Sequence, residues 1–234
     1  MIAELFGIYT GVIVNTATII VGGFIGVLLG AHLSERLKET VMHGIGLSVL
    51  LIGMQMALEA ENIIFVVISM ALGGSIGESL SIEQNIEAMG RRLQANMGKE
   101  NNQLVRSFIF ATIVYCSGAL SITGALTSGL AGEHSILYTK SIIDGVASIA
   151  FASTMGVGIV IAAFSVLFYE GALVALADSL SVLLTTDIVR EVSAVGGVLI
   201  VAISLNILGL IKIKVANLVP AIIIIIFLVK FFAP

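Results

Sequence analysis

The sequence predicts an all-α bundle of about eight transmembrane helices, read as a single domain over residues 1–234. Three observations carry this. Of 234 residues, 58% are hydrophobic and only 11% are charged, against about 25% charged in a soluble domain. Mean hydropathy is +1.14. Unbroken apolar runs recur at the length of about twenty residues that a helix needs to cross hydrocarbon, where a β-barrel would show alternating strands of roughly ten. Abundant Gly (25) with scarce Pro (2) fits close-packed membrane helices.

The spans fall near 6–30, 42–58, 62–80, 104–126, 141–161, 165–184, 192–211 and 214–232. The first carries Asn15 between Val14 and Thr16, and ends in Gly22–Gly26, GGFIG. The second holds Gln55, and the third repeats the glycine pattern at Gly73–Gly77, GGSIG, before Glu78. Such glycines either let helices touch through small residues or mark local unwinding that exposes backbone groups to an ion.

Residues 81–103 form the one substantial soluble segment. Glu83, Glu87, Arg91 and Arg92 fall on one face and Ile82, Ile86, Met89 and Leu93 on the other, as in a helix lying on the membrane surface. The fourth span gathers Tyr115, Ser117, Ser121 and Thr123 around Gly118 and Gly124. Nothing charged divides the fifth span from the sixth, so the reading is two helices with a tight turn near Ala162–Ser165, or one long span with a re-entrant segment. The seventh carries Asn206.

With the N-terminus outside, the inner loops hold Arg36, Lys38, Arg91, Arg92, Lys99, Arg106, Lys212 and Lys214, leaving Lys140, Arg190 and Lys230 outside. That asymmetry is the one the positive-inside rule expects, so both termini are placed outside.

Internal similarity predicts an inverted repeat. Gly46–Ala57 (GLSVLLIGMQMA) lies over Gly197–Leu208 (GVLIVAISLNIL), Asn62–Phe65 over Asn217–Pro220, and Val14–Ala17 over Tyr169–Ala172. Spans 1–3 then match spans 6–8 in opposite orientation, and spans 4 and 5 pair through Arg106-Ser107 and Lys140-Ser141. Repeats of this kind build many secondary transporters, with the site at the repeat interface.

The candidate site follows from the cost of polar groups in hydrocarbon. Lys140 and Asp144 are four apart and share a helix face, which Ser148, Ala152 and Gly156 continue. Glu170 lies within VLFYEGALV. The amides of Asn15, Gln55 and Asn206 must also face protein or water. The expected substrate- or ion-binding set is therefore Asn15, Gln55, Lys140, Asp144, Glu170 and Asn206. Interhelical hydrogen bonds are the plain alternative for each amide.

Other chemistries find no support. The lone Cys116 has no internal disulfide partner, and His32, His43 and His134 are too scattered for a metal cluster. There is no P-loop, HExxH or nucleophile elbow, so neither ATP-driven transport nor an enzyme is expected, and no cofactor. The net charge of −4 is small and says nothing about nucleic acid; no nucleic-acid partner is expected. The N-terminus lacks the basic start of a cleavable signal.

Several stretches, namely GVIVNTATIIVGGFIGVLLG, HGIGLSVLLIGMQMAL, LGGSIGESLSIEQNIEAMG, SGALSITGALTSGL, TKSIIDGVASIAFASTMGVG and AVGGVLIVAISLNILGLIKIKVANLVPA, together resemble the YqgA/YdfK group of bacterial inner-membrane proteins, a domain of unknown function. The resemblance covers nearly the whole chain. It implies a multi-span inner-membrane protein, often labelled a transporter, and brings no substrate. In that group Gln is usual where this chain has Glu170.

The residues themselves point to a secondary transporter or channel for a small solute or ion, with the lipid bilayer and an unknown solute or cation as partners. The alternative is a non-transporting scaffold or an accessory subunit of a membrane complex. Small-residue helix faces make a homodimer the expected assembly.

Overall fold

The computed structural model of the chain describes residues 7–85, 88, 102–116 and 118–232. Among these, ordered structure is entirely helical: α1 (Thr10–Gly30), α2 (Glu35–Ala57), α3 (Ile63–Ser79), α4 (Asn102–Cys116), α5 (Ala119–Ala131), α6 (Ser135–Met155), α7 (Gly158–Ala175), a short α8 (Ala177–Ser181), α9 (Thr186–Ile207), a 3₁₀ turn (Val215–Leu218) and α10 (Ala221–Phe232). Six helical segments are long and apolar enough to cross a membrane: Thr10–Gly30, Glu39–Ala57, Ser135–Met155, Gly158–Ala175, Thr186–Ile207 and Val215–Phe232. A pair bent by 59°, Gln103–Cys116 and Leu120–Ala131, passes the same test together, and Ile63–Ser79 is a shorter apolar helix.

Local sequence explains where helices begin and end. Ser34, Asn62 and Thr185 open α2, α3 and α9 by accepting backbone N–H bonds from Leu37, Phe65 and Ile188, which relieves the unsatisfied donors of a first turn. The turn between α6 and α7 falls at Gly156, not at Ala162–Ser165, and separates two full helices. Gly156 has φ 80 and ψ −159, a backbone state essentially confined to glycine, whereas Ala162 and Ala163 are buried inside α7. Of the amphipathic segment, Ile82 and Glu83 are described; Ile86, Glu87, Met89, Arg91, Arg92 and Leu93 lie outside the described residues, as does Ser117.

The glycine patterns serve contact within continuous helices. Alanine methyls at Gly22, Gly26 and Gly30 of α1 would collide with the carbonyl oxygens of Gly145, Ile149 and Ser153 of α6. The steps of four match on both helices, so α1 and α6 run parallel with backbones touching along most of their length. Gly73 and Gly77 of α3 likewise bring backbones into contact, against Ala221 and Asn217, in antiparallel order.

Other pairs run antiparallel or side by side. On α2 and α9, Ser204 Oγ donates to the Gly46 carbonyl (2.7 Å), Gly53 faces Gly197, and Gly197 also meets the Ala57 backbone while Gly46 meets Leu208. The bent pair follows α7: Gly158 packs against Ser107 and Leu104, and Gly129 against Val174 and Ala177. Helix α9 is buried on nearly all sides and touches α2, α3, α4, α5 and α10. Outer faces present Phe24, Leu28, Ile64, Ile142, Phe168 and Phe227, the apolar surface expected of lipid contact.

Candidate functional site

A polar layer interrupts five helices at one level. Reading along α1, Val12 and Ile19 flank Asn15; along α6, Leu137 and Phe151 flank Lys140, Asp144 and Ser148; along α7, Val166 and Leu173 flank Glu170; and the bent pair places Tyr115 and Ser121 between Phe110 and Ile122. One apolar cluster contains Ile19, Phe110, Phe151 and Val166, and the other Val12, Ile122, Leu137 and Leu173. The layer is thus sealed on both sides by hydrocarbon. It also lies off-centre. Thr10 to Asn15, Ser135 to Lys140 and Glu170 to Ala175 are equal steps from one end of the bundle, about 7.5 Å at 1.5 Å per residue.

Glu170 is the hub and has no exposed surface. Asn15 Nδ2 donates to both of its oxygens, each at 3.2 Å. Ser121 Oγ lies 2.9 Å from Oε1, and the Lys140 ammonium lies 3.4 Å from Oε1. Lys140 also binds Asp144 directly, one helical turn on, and sits 5.9 Å from the Tyr115 ring centroid, within cation–π range. The Tyr115 hydroxyl bonds Ser148 Oγ at 2.7 Å, and Ser121 Oγ reaches the Tyr115 carbonyl oxygen at 2.7 Å across the break between α4 and α5. Asn15 Oδ1 is buried with no donor.

Two acids and one base held this far from water cost several kcal/mol each in desolvation before their mutual attraction is counted. In the layer an ammonium is caught between carboxylate oxygens and an aromatic face. That arrangement can exchange a proton or a cation, and it is acceptor-rich by one negative charge.

Of the six expected site residues, the structure brings Asn15, Lys140, Asp144 and Glu170 together. Gln55 lies on an exposed stretch of α2. Asn206 lies at the far end of α9, where its amide donates to the Ile213 carbonyl and accepts from the Ile213 N–H at 2.8 and 2.7 Å. Those two bonds hold the loop after Gly209. Among the described residues no group of His, Cys, Asp and Glu is arranged to hold a metal ion.

A second polar cluster was not expected. Lys214 pairs with Glu78 (2.7 Å), whose other oxygen accepts from Asn217 Nδ2 (2.6 Å); Asn217 Oδ1 accepts the Glu83 N–H (2.8 Å), and the Ala216 N–H donates to Glu83 Oε2 (3.1 Å). It ties the end of α3 to the opening of the last span. Asn217, matched to the helix-opening Asn62 by the internal repeat, was the available signal.

These features define a polytopic membrane protein of transmembrane helices with a charged, buried polar layer. The chain belongs to the family described as "Protein of unknown function (DUF554)", whose model matches residues 10–230. It is 31% identical over 218 residues to the "Uncharacterized membrane protein YdfK" of Bacillus subtilis (strain 168), covering 92% of this chain and 93% of that one. It is 28% identical over 216 residues to the "Uncharacterized protein YqgA" of Escherichia coli (strain K12), covering 90% and 92%. No solved structure matches it.

Proposed function

We propose that the chain is a secondary transporter or channel for a small solute or ion, and that Asn15, Lys140, Asp144 and Glu170 form its binding site. The carrying observation is a layer of three buried ionisable side chains, drawn from two helices of a membrane protein and joined by Asn15 of a third. Charges so placed are expensive and mark ion and substrate pathways by default. Transport, and no catalysis, is the reading; no cofactor enters it.

Eight passes and an inverted repeat belong to the same proposal. Counting the bent pair as one span, and Ile63–Ser79 as another, brings six to eight. The matched helices α2 and α9 pack on each other, and a shift of 151 residues (46 to 197, 53 to 204, 57 to 208) carries the 46–204 contact onto 197–53 and the 46–208 contact onto 197–57. The matched residues Asn15 and Glu170 bond one another. The bent pair suits a discontinuous helix, which such transporters place at their sites. With eight passes both termini fall on one side, read as outside of the inner membrane, opposite Arg36, Lys212 and Lys214. A homodimer is the proposed assembly.

The accessory-subunit reading has one observation in its favour: the Asn206 amide spends both groups on its own loop. A thermal-stability screen of the purified protein against ions and small metabolites, beside Asp144→Asn, separates the two. A ligand at a hundredfold excess over Kd stabilises by about 2.7 kcal/mol. A shift lost in the variant, followed by flux in liposomes, supports transport. No shift across a broad panel, with unaltered wild-type and variant melting, would sink it.

A further inference from the structure

Ser121 has one hydroxyl hydrogen and two acceptors in reach. Its oxygen is 2.9 Å from Glu170 Oε1 and 2.7 Å from the Tyr115 carbonyl oxygen, both true hydrogen-bond distances. A hydroxyl donates once but accepts as well. With Glu170 ionised, Ser121 can serve the carboxylate or the carbonyl, not both. With Glu170 protonated, the carboxyl O–H donates to Ser121 Oγ and Ser121 donates to the carbonyl, so both contacts become bonds.

The charge count points the same way. The layer sets Asp144 and Glu170 against the single ammonium of Lys140, one negative charge in excess, so one proton at Glu170 would balance it.

We propose that Glu170 is a proton-carrying group of this chain, and that the Ser121 hydroxyl couples its protonation to the break between α4 and α5. One proton arrives from water and forms an O–H bond at Glu170 Oε1. Ser121 keeps its own hydrogen and turns it from Glu170 to the Tyr115 carbonyl. The layer passes from one net negative charge to none, while Asp144 retains Lys140. The groups around Glu170 fit this. Helix α1 brings Asn15, α6 brings Lys140 and Asp144, α4 brings Tyr115 and Cys116, and α5 brings Ser121. Asp178 of α8 is exposed beyond the end of α7. Lys140 is the one cation in this set, and it is shared between two acids.

The role in coupling rests on the transport reading; the carboxyl chemistry does not. Infrared difference spectroscopy of the full chain in lipid, with pH stepped across the range in which it stays folded, reads it without a substrate. Expected is the carbonyl band of a buried carboxylic acid that grows as pH falls, is lost in Glu170→Gln, is retained but moved to lower pH in Asp144→Asn, where Lys140 is left to Glu170 alone, and titrates at a shifted midpoint in Ser121→Ala. Circular dichroism checks that each variant is folded. No such band, a band lost in Asp144→Asn but kept in Glu170→Gln, or a Ser121→Ala midpoint equal to wild type overturns the proposal. A Glu170 band in a protein that moves no solute in liposomes leaves the proton chemistry standing and removes the transport reading; flux without the band does the reverse.

Discussion

Two lysine clusters in this protein use the same parts in opposite surroundings. At Lys140 an ammonium meets Asp144 and Glu170, and Glu170 accepts from Asn15. At Lys214 an ammonium meets Glu78, and Glu78 accepts from Asn217. Lys140 and Glu170 are sealed inside five helices, whereas the Lys214 and Glu78 side chains are 52% and 57% exposed. In water the pair is screened and contributes little. In the layer each partner exists only because the other is there. The chemistry is shared; burial decides how much each partner depends on the other.

The comparison breaks most sharply at Lys140. Lys140→Met leaves two buried carboxylates uncompensated and should cost about 3–5 kcal/mol, read by denaturation in detergent. Adding Asp144→Asn should recover part of that loss. Gly26→Val tests the support of the layer without touching a charge. Its methyls meet the Ile149 carbonyl and Ala152, and the expected loss is about 1–3 kcal/mol. At the exposed cluster Asn217→Ala removes the acceptor of the Glu83 N–H and should cost about 1 kcal/mol.

Lys214→Ala is expected to have the smallest effect, a small loss of melting temperature at low salt that is screened away at physiological salt. The pair also has a pH signature. The Glu78 hydrogen bond holds the Lys214 ammonium above the ordinary lysine range. A raised lysine pKa contributes stability that is complete below the unfolded value and is lost as pH rises through the folded one. At low salt wild type should therefore fall towards Lys214→Ala in alkali, and again in acid, because the same bond holds Glu78 below the ordinary carboxylate range and its contribution is lost as that carboxylate protonates.

Much of this was legible in sequence because membrane burial makes polar residues conspicuous. Asn15, Lys140, Asp144 and Glu170 stand out against long apolar runs, and the spacing of Lys140 and Asp144 places them on one face. Gln55 and Asn206 stand out equally, yet one is exposed and the other bonds its own loop. Conspicuousness says that a group needs a partner, not which partner. The α6–α7 boundary was misplaced because its signal is a backbone angle at Gly156, and apolar composition is blind to it. Ser121 was one hydroxyl among several until the break brought it to Glu170.

The glycine stripe between α1 and α6 has a mechanical consequence. Backbones in contact at Gly22, Gly26 and Gly30 have no room to slide, so the two helices behave as a single rigid strut. Asn15, Lys140 and Asp144 ride on that strut, whereas Glu170 and Ser121 belong to α7 and α5. Any rocking of the bundle must then open along the seam between Asn15 and Glu170. On the transport reading proposed above, a crosslink pinning α1 to α6 should leave flux intact, and one pinning α1 to α7 across that seam should arrest it.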